Sequence, residues 1–297
     1  MFCPDEPRLT EEVRPRAILT AVLILACCVP AITVRGQLIQ TRPAGDGIVY
    51  YLDGAGGGGR PLDWGRKVEK GLRQGGFRGE FKQFKWQTGL GALVDHGLSE
   101  SSKRKEARKL ALQLSRYMDL HPRAPVYLIG LSAGTAILVF TLEALPEKKQ
   151  VENVVLLSSS LGADYDLSRA LRRVDGQMYV FTSKNDPILE GLVPLVGTAE
   201  RDWAGQDIAG LKSFQPPAGA GPDTRRQYTK IVHVPWREQF KRFGNRGSHT
   251  GATDADFVAR YITPKVQPGQ EDASADRTAR VGTGREYPRE SSLPPGR

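Results

Sequence analysis

Beyond residue 28 the chain has no cysteine; its three, Cys3, Cys27 and Cys28, all lie in the N-terminal segment. The body of the protein therefore has no disulfide and no thiolate metal site, and its cohesion must come from apolar burial, for which 297 residues suffice. Histidine is scarce too. Any imidazole chemistry must fall on His96, His121, His233 or His249. No apolar run reaches the ~20 residues of a comfortable membrane span. No aromatic residues interleave the densest basic stretch, Lys103, Arg104 and Lys105 with Arg108 and Lys109, so the net charge of +9 reads as a solvated helix face. No nucleic-acid partner is expected, and there is no internal repeat. The hydrophobic share of 39% and charged share of 25% are those of a globular protein.

What is present begins with a leader. Ala17 to Cys28 is an apolar run behind Arg14 and Arg16, the basic and apolar regions of an export signal. Ile24 to Cys27 resembles a bacterial lipobox, in which the cysteine is lipidated. The expectation is an exported protein of the cell envelope with lipidation at Cys27 and a membrane contact through this anchor. Cleavage further on and an uncleaved anchor are the alternatives. Residues 1–45 are read as signal or lipid-anchor segment and linker, 46–263 as the folded domain, and 264–297, rich in Pro, Gly, Ser and mixed charge, as a disordered tail.

Within the domain, short apolar runs alternate with helical stretches. Strands are expected at Gly47–Leu52, Phe81–Trp86, Val126–Ile129, Val154–Leu157, Met178–Thr182 and Tyr228–Val234. Helices are expected at Pro61–Gln74, Ser101–Leu120, Thr135–Leu145, Leu167–Arg172 and Asp254–Tyr261. That alternation predicts an α/β fold, a mostly parallel sheet with helices on both faces. Ala204 to Arg226 reads as a loop over the sheet edge. Residues 188–228 have the length for a small lid, in which Leu192, Val193, Leu195 and Val196 would line an acyl pocket or pack as a helix on the core.

Gly130, Ser132 and Gly134 fit G-x-S-x-G. In a chain with 33 glycines the pattern alone is weak. Its context gives it weight, because an apolar strand runs directly into it and a helical stretch directly out. Small residues two before and two after the serine let strand and helix approach, and the helix start points free N–H groups at developing negative charge. A serine hydroxyl is a poor nucleophile and needs a base, normally a histidine oriented by a carboxylate. After the serine, Asp186 follows the strand Met178–Thr182, and His249 lies in a glycine-flanked loop between the last strand and the last helix. Asp164 and Asp166, after the preceding strand, are the substitute acids. His96 and His121 precede the serine, and His233 lies inside a strand.

In this order of elbow, acid loop and late histidine the chain resembles the α/β-hydrolase superfamily, over about Asp46 to Thr263. The resemblance implies an ester-type acyl hydrolase working through an acyl-serine, with Ser132, Asp186 and His249 catalytic. It implies an oxyanion hole from the N–H of Ala133 and one from the loop after the first strand, Gly54 or Ala55. Asp53 stands where many members carry a histidine; its negative charge would hinder an oxyanion unless the side chain turns away to bind the loop backbone. The partner expected is a small-molecule or lipid acyl substrate, with no cofactor and no metal. A non-catalytic member of the fold, tethered at the cell envelope as a binding protein, is the alternative.

The run Gly54 to Gly59 also fits G-x-G-x-x-G, a pattern that can cradle a dinucleotide pyrophosphate. Such a site wants an acid ~20 positions on to hold the ribose, and Phe81 to Val94 has no Asp or Glu. Cofactor binding is therefore not the reading preferred.

Overall fold

A computed structural model describes residues 47–59, 62–192, 198 and 207–267. Cys27, the whole leader and residues 268–297 lie outside the described residues, as do Val193, Leu195, Val196 and the side chain of Leu192. Among the described residues no helix is long and apolar enough to cross a membrane.

Six strands form one sheet, all parallel: β1 (Ile48–Leu52), β2 (Glu80–Gln83), β3 (Val126–Leu131), β4 (Val154–Leu157), β5 (Met178–Thr182) and β6 (Ile231–Pro235), in the order β2-β1-β3-β4-β5-β6. The central strands are buried on both sides, which is why they read as continuous apolar runs. Alternate residues feed separate cores. Ile48, Tyr50, Val126, Leu128, Val154 and Leu156 face one cluster, while Val49, Tyr51, Tyr127, Ile129, Val155 and Leu157 face the other. The first cluster is closed by α3 (Glu100–Leu120), α4 (Ala133–Ala144) and α5 (Ser168–Leu171). The second is closed by α1 (Trp64–Gln74) and α8 (Ala255–Phe257), which continues as a π-helical turn, Val258–Ile262. The other α-helices among the described residues are α2 (Ala92–His96), α6 (Ala209–Lys212) and α7 (Pro222–Tyr228).

Several boundaries differ from expectation for local reasons. Helix α1 starts at Trp64 because Asp63 caps it, its carboxylate accepting from Arg66 N–H at 3.2 Å. Ser99, not Ser101 or Ser102, caps α3. Leu112 is exposed, since it cannot share a helical face with Leu110 and Leu114, both buried. Ala204 to Arg226 is not one loop: α6 docks through Ala209 N–H to Leu161 O (2.9 Å) and Gly210 N–H to Ser159 O (2.9 Å), and α7 follows. The back part of the expected lid is thus packed on the core. Packing also runs past Thr263: Val266 is buried, and Asn153 Nδ2 donates to Lys265 O at 2.8 Å.

The basic run on α3 is not a uniformly solvated face. Lys103 is fully buried, its ammonium donating to His96 O at 2.9 Å. Arg104 lies 4.1 Å from the Phe140 ring centre and reaches Glu143 (2.7 Å), Glu100 and Tyr165. Glu143 is almost wholly buried, so Arg104→Ala strands a carboxylate. The expected loss is about 2–4 kcal/mol of stability, read from urea unfolding.

Candidate active site

Because β1 is followed by β2 on one side and by β3 on the other, the connections diverge between β1 and β3. In open parallel sheets that divergence leaves a crevice outside the carboxyl ends of the strands. The glycine loop leaves the end of β1 and Ser132 leaves the end of β3, so the two flank this crevice.

Ser132 is the turn between β3 and α4, with φ 51° and ψ −124°. Only glycine adopts this conformation readily, so a serine here is held under strain by its surroundings. Three bonds hold it: Ser132 N–H to Leu157 O at 2.9 Å, Thr135 N–H to Ser132 O at 2.9 Å, and the Thr135 hydroxyl to the same oxygen at 2.6 Å. Thr135 Oγ1 in turn meets Ser159 Oγ at 2.9 Å. The flanking glycines are required by contact. A Cβ at Gly134 would lie 2.6 Å from Asp53 O, and one at Gly130 2.8 Å from Leu138 Cδ1.

Asp186, fully buried past the end of β5, accepts with Oδ1 from the N–H groups of Ile188 and Leu189 at 3.1 Å each. Its Oδ2 lies 2.8 Å from His249 Nδ1. The histidine loop is tied to the acid loop, since the Ser183 hydroxyl donates to Gly247 O at 2.7 Å. Asn245 closes the turn, accepting from Gly247 N–H at 3.0 Å, and Trp236 Nε1–H donates to Asn245 O at 3.0 Å. Gly247 has φ 87°, which suits its residue type.

The other acids and histidines lie elsewhere on the fold. Asp164 and Asp166 are exposed, and Asp166 accepts from Ser168 N–H at 2.8 Å. His121 ends α3 and stacks on Tyr117, and His96 ends α2. His233 pairs with Thr182 Oγ1 at 2.7 Å, and burial pushes its pKa down.

The Asp53 side chain is turned into its own loop and the neighbouring strands. Its carboxylate accepts from the Tyr51 hydroxyl (2.7 Å), Gln83 Nε2 (2.7 Å) and Gly58 N–H (2.8 Å), while its carbonyl accepts from Trp86 Nε1 (2.9 Å). Burial, above all, raises its pKa, with the Asp63 carboxylate adding to the rise and the bonds from Tyr51 and Gly58 opposing it. Tyr51 is driven well above the ordinary phenol range by burial and by Asp53. A second buried carboxylate, Asp95, accepts from Gly56 N–H at 2.9 Å and from Thr88 N–H and hydroxyl at 2.8 and 2.6 Å. Gln87 Nε2 reaches Gly54 O at 3.1 Å, and Gly54 O also accepts from Gly57 N–H.

The loop is therefore filled by the protein's own acids, which take the N–H groups of Gly56 and Gly58 that a pyrophosphate would need. Among the described residues the N–H groups of Gly54 and Ala55 donate to nothing. Gly54 is the nearer: a Cβ on it would sit 3.2 Å from Ser132 Cβ. Ala133 opens α4, so its N–H has no partner within the helix.

The strained serine elbow on a parallel sheet covered on both faces decides the fold. It is an α/β-hydrolase fold. No protein-family model matches the chain, and no curated protein matches it. Among solved structures it is similar to esterase PE8 (14% identity, 75% of this chain and 94% of that one, TM-score 0.45). A cutinase-like protein from Cryptococcus sp. is also similar (12% identity, 74% and 91%, TM-score 0.39). The esterase domain of a Rhodothermus marinus protein matches at 13% identity over 78% and 88%, with TM-score 0.39.

Sequence reading did not find Ser183, Asn245, Thr135 or Asp95, which hold these loops. Asp95 lies just past the acid-free stretch Phe81 to Val94, and an Asp soon after a Thr-Gly pair is common in any loop. Among the described residues no group of three or more His, Cys, Asp or Glu side chains could hold a metal ion.

Proposed function

We propose that this α/β-hydrolase-fold protein is a serine hydrolase that cleaves an ester-type acyl bond through an acyl-serine. The observation that carries the reading is the Asp186–His249 pair, 2.8 Å apart, on the carboxyl edge where the strained Ser132 also stands. His249 Nε2 takes the Ser132 proton as Oγ attacks the acyl carbon. Asp186, held by two backbone N–H bonds to its Oδ1, orients the imidazole through Nδ1 and stabilises the imidazolium formed during the reaction. The N–H groups of Ala133 and of Gly54 or Ala55 receive the oxyanion. His249 then gives its proton to the departing alcohol oxygen. A water attacks the acyl-serine with the same base, releasing the acid and restoring the hydroxyl. We place this activity at the cell envelope, with export and lipidation at Cys27, on the basic flank and apolar run of residues 14–28.

The test is mass spectrometry of the full chain after reaction with a fluorophosphonate. An adduct confined to Ser132 and lost in His249→Ala is the expected result. A folded protein without adduct sinks the hydrolase reading and leaves a binding protein on the same fold.

A further inference from the structure

Of seven large apolar side chains exposed among the described residues, five stand on the segments that follow the carboxyl ends of strands: Leu62 (43%), Leu90 (75%), Leu93 (70%), Val94 (43%) and Ile188 (38%). Four of these flank the glycine loop. Exposed apolar groups scattered singly need no explanation, but a cluster at the rim of a site does. Leu90, Leu93 and Val94 belong to Thr88–Val94, seven residues without a charge, so the segment offers nothing to a charged partner.

Helix α2 is also joined to the loop beside Ser132. Ala92 packs so closely on Gly56 that a Cβ placed there would meet it at 2.8 Å, and Asp95 binds both Gly56 and Thr88. Gly89 and Gly91 have φ of 79° and 104°, and a Cβ on either would meet nothing within 4 Å, so the leucines between and after them stand out from the body. An apolar lip is thereby fixed in register with the oxyanion loop.

We infer that α2 and the turn before it form the seat for the hydrocarbon chain of the substrate, so that the substrate class is esters with long apolar chains. This rests on the hydrolase reading above. The chain lies along Leu90, Leu93 and Val94 while its ester carbonyl faces Gly54 and Ala55. Each methylene buried against apolar surface strengthens binding by about fourfold. A decanoyl ester therefore outcompetes an acetyl ester, and the lip supplies the difference.

The experiment compares kcat/KM for p-nitrophenyl acetate and decanoate in the full chain and in Leu90→Ser/Leu93→Ser. The expected result is a decanoate-to-acetate ratio that falls about tenfold or more in the variant, with acetate turnover within about twofold of wild type. An unchanged ratio overturns the lip while leaving the hydrolase reading intact. A wild type that cleaves neither ester overturns the hydrolase reading instead. The seat is then judged by hydrogen–deuterium exchange of Ser132→Ala with monomeric decanoate. Slowed exchange over Leu90–Val94 supports it. No protection, or protection given only by neutral phosphatidylcholine vesicles, overturns it, the latter in favour of a surface that docks on lipid.

Discussion

Ser132→Ala is expected to lower kcat/KM for an ester by about 10⁴- to 10⁶-fold, the range for loss of an activated nucleophile that works with its base as a unit. The fold should survive, because every bond that fixes the elbow is made by backbone atoms of residue 132 and by Thr135. A second substitution separates chemistry from strain. With φ 51° and ψ −124°, Ser132 occupies a conformation that suits glycine. Ser132→Gly should therefore be as inactive as the alanine variant yet more stable than wild type by about 1–2 kcal/mol, less the glycine's entropy cost. Urea unfolding of the three proteins checks this. A glycine variant less stable than wild type means the elbow is not strained, and residual turnover near wild type in either variant removes Ser132 from the mechanism.

Asp53→Asn is expected to be strongly destabilising. Three donors converge on that carboxylate, from Tyr51, Gln83 and Gly58, and an asparagine offers one acceptor oxygen and turns an NH₂ group against the rest. Leaving such donors buried and unmet costs about 3–5 kcal/mol. The loop that presents Gly54 and Ala55 loosens with it, so kcat should fall about 10–100-fold while KM changes little. The same residue leaves a mark in pH dependence. Its pKa is raised on folding, so as pH falls through that raised value the native state takes up a proton before the unfolded chain does. The Asp53 contribution to stability therefore grows on acidification between the raised value and the ordinary carboxylate value, and is flat above it. Asp53→Asn should abolish that increment. A variant that matches wild type in unfolding and in kcat shows that the loop is positioned without Asp53.

The strands were legible because each central one is buried on both faces and so is apolar at every position, as in Val126–Leu131 and Val154–Leu157. Of the candidate site, what the sequence offered was an order, Ser132 and Asp186 each after a strand and His249 beyond the last one, and the structure joins Asp186 to His249 at 2.8 Å. What could not be read was what reaches across. Asp53 is bound by Gln83, 30 residues away, and Gly56 by Asp95, 39 away, through single side-chain bonds that leave no periodicity. Helix α2 is five residues long, too short to repeat an apolar face. Lys103 looked solvated because charge runs usually are, yet its long stem reaches the His96 carbonyl and is covered.

The order of the strands sets a schedule for synthesis. A chain emerging from the ribosome N-terminus first exposes the glycine loop at Gly54, then the serine, then Asp186, and the imidazole only at His249, after β6, which forms the edge of the sheet. On the proposed mechanism, a nascent form lacking the final strand and loop holds the Ser132 alcohol without the His249 base. On that mechanism the serine gains its base only when the last segment of the domain has been made, so activation is the final event of assembly.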